Sequence, residues 1–476
     1  MDAMCLKFET NDNDLNSAFR IALGDIYGNI YPFRDGLLEK EAPVLLAGLG
    51  YDTPWTRDAS INTWNCGGLL YPEIGKNTLL SVLEKSDGKI KIGGQYWDCI
   101  IWTIGAWWLY LYTGDREFLE LSLEAVANSL KYFEKTEFSA DLNLFRGPAC
   151  YGDGVAAYPD IYANVNWSGI DAFPKAHPDL ASKTGYGIPM HSLSTNCLYY
   201  YAYLLADAMS VELNKAPDPE WKTRAGALKE AVNKHFWMKD KGYYRYLVDP
   251  FGGCDHQEGM GHSFAIMFGI ADKEKAEQIF RNQYISNAGI PCVWPCFDRY
   301  LSPNANSYGR HSGTVWPQVQ AFWAEAAAMH GKEDVFSHEF QKLKGVAVRD
   351  SSFAEIYHPD TGEVYGGLQE CLENNILLWE SAKRQTWCAT GFIHMVLMGI
   401  MGMKFKPDGI VFKPMMVKDV ERIDLKYLKY RNMLLNISIE GKGASIVEFM
   451  INGKSNCTFC LSADASGQQD IYIKVG

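Results

Sequence analysis

The sequence predicts a mainly α-helical protein, an (α/α)6 barrel (six-hairpin toroid) followed by a small C-terminal β-sheet module. Three observations lead there: helical segments of two kinds alternate, the joints between them are short, and the periodicity changes near Met403. From Leu15 to about Met403, one kind of segment is apolar nearly all round: "CIIWTIGAWWLYLYTG", "SLSTNCLYYYAYLLADAM", "HSFAIMFGIAD", "TVWPQVQAFWAEAAAMHG" and "TWCATGFIHMVLMGIMG". The other carries charges at the helical period: "REFLELSLEAVANSLKYFEK", "PEWKTRAGALKEAVNKHFW", "DKEKAEQIFRNQ" and "DVFSHEFQKLKGVA". A helix apolar on every side belongs inside, and one with a charged face belongs outside. The joints "YTGDREFL", "GIADKEKA" and "MHGKEDVF" each end an apolar helix at a small residue and begin a charged one within a few residues, which makes the two antiparallel neighbours. The pattern amounts to about six hairpins, inner helices ringed by outer ones. A solenoid is the competing arrangement, and the irregular spacing disfavours it.

Past Met403, "GIVFKPMM", "RIDLKYLKYRNMLLNISIEGKG", "SIVEFMING" and "DIYIKVG" alternate apolar and polar residues between Asn-Gly and Gly-Lys turns. The expected organisation is a catalytic barrel over residues 1–403 and a small β-sandwich-like module over 404–476, packed on the barrel.

Composition narrows the partners. The 476 residues are 47% apolar and 13% aromatic, with 14 Trp and 27 Tyr, enough for a large core and for rings that stack on pyranose faces. A net charge of −12 without a long like-charge run argues against nucleic acid and anionic membrane, which need clustered Lys and Arg. No signal peptide or membrane span is visible, so a cytoplasmic location is expected. Cys292-x3-Cys296 and Cys457-x2-Cys460 look like zinc half-sites, but neither has a second pair at suitable spacing; reduced thiols fit better, and no metal or organic cofactor is implied.

Three loops carry unusual polar density. In "GYDTPWTRDASINTW", Trp55 offers a ring, and Arg57 and Asp58 a charged pair that can fork onto vicinal hydroxyls; alternatively Asp58 is only a helix cap. In "FRGPACYGDGVAAYPD", Asp153 lies between Gly152 and Gly154 beside Tyr151, in a stretch too rich in Gly and Pro for helix. In "EIYHPDTGEVYGG", Glu355 precedes a His-Pro-Asp-Thr-Gly turn, and "SYGRHSGTVWPQVQ" brings Arg310, His311 and Trp316 ahead of an inner helix. Cleaving a glycosidic bond takes two carboxyl groups on opposite sides of that bond, one giving a proton to the leaving oxygen and one activating water or attacking. Asp153 and Glu355 are the candidates.

At this point the chain resembles the six-hairpin glycosidases, the superfamily of family 15 glucoamylases, family 37 trehalases and family 63 glucosidases and mannosylglycerate hydrolases. "YDTPWTRDASI" is similar to the glucoamylase stretch "Y-T-W-T-R-D-S", which implies that Arg57 and Asp58 hold the terminal sugar. "EIYHPDTG" resembles the family 63 stretch "E-N-Y-N-P-x-T-G", in which the Glu is the base; Ile356 and His358 depart from it. "RHSGTVWPQVQ" is similar to the "W-R-G-x-x-W" segment, with His311 and Ser312 as departures, and "QTWCATGFI", with Trp387, stands where family 63 has its closing "F-x-W-S-A" helix. That family has its acid in "S-G-M-D-N-S-P"; Asp153 is taken as the acid because it follows the fourth predicted helix, where the superfamily keeps it. Glu370 rivals Glu355 as base, since it precedes Trp387 at a spacing like that of glucoamylases. Trp97 and Asp98, and Glu258 with His262, also begin inner helices, where capping, core and sugar-contact roles stay open.

The expectation is an exo-acting, inverting glycoside hydrolase that releases a terminal, α-linked sugar from a short oligosaccharide or glycoside. Asp153, its pKa raised by burial, is the acid and Glu355 the base. The alternatives are a glycoside phosphorylase on the same barrel, a sugar epimerase working through paired histidines such as His256 and His262, and a non-catalytic sugar-binding protein.

Overall fold

The computed structural model describes residues 6–94, 96–163, 165, 168–301, 307–371 and 375–476. Twelve helices build the barrel: α1 (Asn13–Tyr27), α2 (Thr56–Asn62), α3 (Pro72–Leu80), α4 (Trp102–Thr113), α5 (Arg116–Thr136), α6 (Leu193–Glu212), α7 (Pro219–His235), α8 (Gly259–Met267), α9 (Lys273–Asn282), α10 (Pro317–Met329), α11 (Glu333–Asp350) and α12 (Thr386–His394). The inner ring runs α2–α4–α6–α8–α10–α12, and α12 packs back on α2 to close it. Outer helices α3, α5, α7, α9 and α11 each follow an inner partner, and α1 covers α12 and α11. The apolar segments are therefore the inner helices and the charged ones the outer, as their periodicity requires.

The joints behave as their residues dictate. Gly114, at φ 71°, ends α4 in the left-handed region, and Asp115 caps α5 by accepting from the Phe118 amide (2.9 Å). Asp272 caps α9 in the same way, through the Lys275 amide (2.8 Å). Inner helices approach closely where they cross. The Gly105 amide of α4 donates to Ser60 Oγ of α2 (3.0 Å), and a Cβ at 105 would lie 2.7 Å from the Ser60 Cα.

Two features of the ring are not visible in the periodicity. Beyond α2 the chain makes a π-helical turn over Thr63–Gly67, and beyond α12 another over Met395–Ile400. The end of α12 rests beside the first, where His394 Nδ1 meets the Asn65 carbonyl (2.8 Å).

Strands Met403–Lys406, Gly409–Phe412 and Cys460–Ser462 form one small sheet. A six-stranded sheet holds Arg422–Tyr430, Met433–Gly441, Gly467–Val475, Ile446–Ile451 and Lys454–Ser455, with Lys7–Thr10 at its edge. Lys7–Thr10 pairs antiparallel with Ile423–Lys426, so the β module takes in a segment that the sequence reading gave to the barrel. The module docks on α4: the Phe405 ring stands edge-on to Tyr112 at 4.9 Å, and the Arg431 amide donates to the Tyr112 carbonyl (3.3 Å). Among the described residues no helix is long and apolar enough to cross a membrane.

Candidate active site

The connections α3–α4, α5–α6, α9–α10 and α11–α12, with the segment ahead of α2, meet at one end of the ring and enclose a cavity of about 310 Å³. Its floor and walls are aromatic, from Tyr51, Trp55, Tyr96, Tyr151, Trp316, Trp379 and Trp387; its charged groups are Arg57, Asp58, Asp153, Asp171, Arg310 and Glu355. The volume lies at the lower end of the ~300–1,000 Å³ typical of small-molecule sites.

Glu355 is placed by a strand-like pairing. Val315 and Tyr357 exchange both backbone hydrogen bonds (3.0 and 2.9 Å), and the His-Pro-Asp-Thr-Gly turn folds back through Gly362 at φ 70°, whose amide donates to the His358 carbonyl. That fixes the Glu355 stretch against the segment bearing Arg310 and Trp316. Glu355 is 2% exposed; Oε1 accepts from the Tyr51 hydroxyl (3.1 Å), and Oε2 is buried with no protein partner among the described residues. Burial raises its pKa, with Arg310 and the Tyr51 hydrogen bond opposing. Arg310 lies over the Trp379 ring (4.0 Å).

Arg57 and Asp58 occupy the first turn of α2. The cap expected of Asp58 is not made: Trp55 is the N-cap residue, without a side-chain bond, and Asp58 points its carboxyl into the cavity from two residues inside the helix. Its Oδ1 has no partner, and burial pushes its pKa up to about 7. Arg57 spans Asp98 (3.5 Å) and Asp153 (4.0 Å) and lies over the Tyr96 ring (4.5 Å). Asp98 also accepts from the Tyr151 amide (2.7 Å), holding Tyr151 at φ 56° just ahead of Asp153.

Asp153 departs from its expected state. Burial pushes its carboxyl up, but Arg57 and Arg310 outweigh that and hold it below the usual aspartate range. Asp171 goes the other way, as Asp58 and Glu355 do: it is pushed up by burial first and then by the charge of Asp153, with Lys175 opposing. Asp171 stands in a short 3-10 turn, Ile170–Ala172, at the cavity mouth. The Ile170 amide donates to the Asp153 carbonyl, the Val155 amide to the Ser168 carbonyl (3.2 Å), and Gly154 bridges Gly169, so the two aspartates are clipped together. A Cβ at 154 would meet Gln369 Oε1 at 2.5 Å, which is why glycine follows Asp153.

Of the residues singled out from sequence, Trp55, Arg57, Asp58, Tyr151, Asp153, Arg310, Trp316, Glu355 and Trp387 line the cavity. The others stand behind it. Trp97 donates to the Ala149 carbonyl (3.1 Å) and supports the Asp153 loop. His311 is fully buried, stacked on Trp316 (4.8 Å), and burial lowers its pKa to about 3. Glu258 accepts from the Ser194 amide (3.1 Å), and burial pushes it up to about 8. His262 is held by Gln283 and the Tyr244 carbonyl. Glu370 lies outside the cavity lining, bound by Arg299 (2.8 Å) and the Tyr300 hydroxyl. Sequence reasoning missed Tyr51, Tyr96, Ser168, Asp171, Trp379 and Gln385. For Asp171 a signal existed: "SGIDAFP", residues 168–174, carries the Ser, Gly, Asp and Pro of "S-G-M-D-N-S-P" in register.

A closed ring of six inner helices with carboxylates, guanidiniums and indoles at one end defines a glycoside hydrolase of the six-hairpin type. The chain belongs to the family of mannosylglycerate hydrolase MGH1-like glycoside hydrolase domains, whose model matches residues 100–388. No curated protein matches the chain. Among solved structures it is similar to the family 63 mannosylglycerate hydrolase from Thermus thermophilus in complex with glucose, at 14% identity and TM-score 0.61, covering 80% of this chain and 100% of that one. It is also similar to a sialidase (14% identity, TM-score 0.65, 94% of this chain and 40% of that one) and to the family 78 rhamnosidase of Bacillus sp. GL1 (14%, 0.56, 99% and 44%). The chain thus spans less than half of those two larger proteins.

Proposed function

We propose that the enzyme removes a terminal, α-linked sugar from a short glycoside with inversion, with Asp171 as general acid and Glu355 as general base. The observation that carries this reading is the arrangement along one cavity: Asp171, exposed at the mouth and clipped to the Asp153 loop, and Glu355, buried deeper in with one oxygen that has no protein partner among the described residues. A closed, indole-floored end suits exo action on one terminal ring, with Arg57, Asp58 and the ionised Asp153 receiving its hydroxyls. The acid role therefore moves from Asp153 to Asp171. Glu355, raised by burial, has the basicity that abstracting a proton from water near neutral pH favours. Inversion calls for carboxyl groups about 6.5–9.5 Å apart, with the water between sugar and base. The α-linkage rests on the likeness to family 63, and the glucose in the Thermus enzyme supports a hexose. Free, buried thiols such as Cys66, Cys150 and Cys388 support a reducing compartment, the cytoplasm.

The test is Asp171→Asn. With alkyl or sugar leaving groups its kcat/KM should fall about 10²–10⁴-fold, while a dinitrophenyl glycoside, whose leaving group needs no proton, stays within about tenfold of wild type. Proton NMR of the wild-type reaction should show the opposite anomer first. Full activity of Asp171→Asn beside an inactive Asp153→Asn returns the acid to Asp153, and a retained anomer overturns inversion.

A further inference from the structure

Resting on that reading, we infer that the leaving-group side of the cavity is built for an uncharged, polyhydroxyl aglycone and against one bearing a carboxylate. The general acid marks where the leaving oxygen must stand, so the groups around Asp171 are those that the aglycone meets. Four carboxyl groups line the cavity, Asp58, Asp153, Asp171 and Glu355, with Asp153 held in its anionic form by the two guanidiniums, Arg57 and Arg310, and no lysine lines it.

Both guanidiniums are committed to the sugar end. Arg57 spans Asp98 and Asp153 and is stacked on Tyr96; Arg310 is stacked on Trp379 and acts on Asp153 and Glu355. At the mouth, the charges acting most strongly on Asp171 are Asp153, which is anionic, and Lys175, which is exposed and lies outside the cavity lining. Beside Asp171 stand Ser168 and Gly169, polar and neutral, and the other partly exposed lining residues apart from Asp153, namely Tyr51, Trp55, Tyr96 and Trp379, are neutral as well. Among the described residues no arginine or lysine lines the aglycone side, and the sequence has no Lys, Arg or His at positions 1–5, 95, 164, 166, 167, 302–306 or 372–374.

A carboxylate needs a guanidinium fork or an ammonium to replace its water, and like charges in a half-closed cleft repel. Ser168, Asp171 and Tyr96 can instead exchange hydrogen bonds with hydroxyls. Specificity then comes as much from rejecting the anion as from holding the polyol.

The experiment compares two glycosides of one sugar that the enzyme releases, in one anomeric form, with glycerol or glycerate as aglycone. Wild-type kcat/KM should favour the glycerol glycoside by about tenfold or more at ~20 mM salt, and the gap should narrow at ~300 mM, as screening weakens the repulsion. Ser168→Arg, which adds a guanidinium at the mouth, should shift the ratio toward the glycerate glycoside by about tenfold. Equal or faster cleavage of the glycerate glycoside at low salt, or a preference that salt does not move, overturns this inference and leaves the hydrolase reading intact. Release of no sugar from any glycoside overturns the hydrolase reading itself.

Discussion

At the cavity end of the inner ring, Asp58 Oδ1, Glu355 Oε2 and the Nε atoms of Arg57 and Arg310 are buried without a hydrogen-bond partner in the protein. Seven residues along α12 from Trp387, roughly 10 Å deeper at the helical rise, the same ring holds Glu325 and His394 as a closed pair (3.0 Å), with the other His394 nitrogen on the Asn65 carbonyl. Burial raises Glu355 overall, whereas at Glu325 the pull of His394 and Lys404 outweighs burial and the carboxyl falls below its usual range. Buried polar atoms in folded proteins are nearly always paired, so unpaired carboxyl oxygens that line a cavity, as at Asp58 and Glu355, are suited to a polar ligand there. At one end, then, Glu325 and His394 close on each other, and at the other the carboxyls of Asp58 and Glu355 face a cavity.

The strongest way to break this comparison is Glu355→Gln. Its kcat should drop at least about 10³-fold, while its folded state is no weaker than wild type. The sign follows from the raised pKa of Glu355: the folded state holds the proton more tightly, so wild type is penalised as pH rises above the unfolded value. The variant's advantage in thermal unfolding should be absent below about pH 4 and grow toward neutral pH. A variant that is inactive and also destabilised at pH 7 would make Glu355 a structural group.

At the other end the expectation reverses. Glu325→Ala strands His394 and Lys404 and should cost about 3–5 kcal/mol in denaturant unfolding, with kcat of the folded fraction within about twofold of wild type. A large loss of kcat without loss of stability would join the two ends functionally. The smallest effect concerns the helices that connect them. Gly105→Ala, pressed on the Ser60 backbone, should destabilise by about 1–3 kcal/mol through overpacking; no loss would mean that α2 and α4 have slack.

The barrel was legible because inner and outer helices obey one rule, that burial on all sides removes the charged stripe, and α4, α6, α10 and α12 follow it. The β module was legible from its alternation, apart from Lys7–Thr10, too short to announce a partner more than four hundred residues away. The site was half legible. Trp55, Arg57 and Asp58 stood in one compact motif, but Glu355 and Glu370 are equivalent as letters and separate only when Arg299 and Tyr300 engage the latter. Asp153 looked more conspicuous between its glycines than Asp171 did, yet two arginines assembled from distant loops hold Asp153 below the usual aspartate range while burial raises Asp171.

The ring closes where α12 meets α2, with Thr390 Oγ1 on Asn62 Oδ1 (3.1 Å), and the cavity straddles that seam, taking Arg57 from one side and Trp387 from the other. During synthesis, then, the first wall of the site waits more than three hundred residues for its last. The contact is strongly non-local, and non-local closure is slow. Return of turnover after denaturation is therefore a clock for the final docking event, one that helix-sensitive probes will run ahead of.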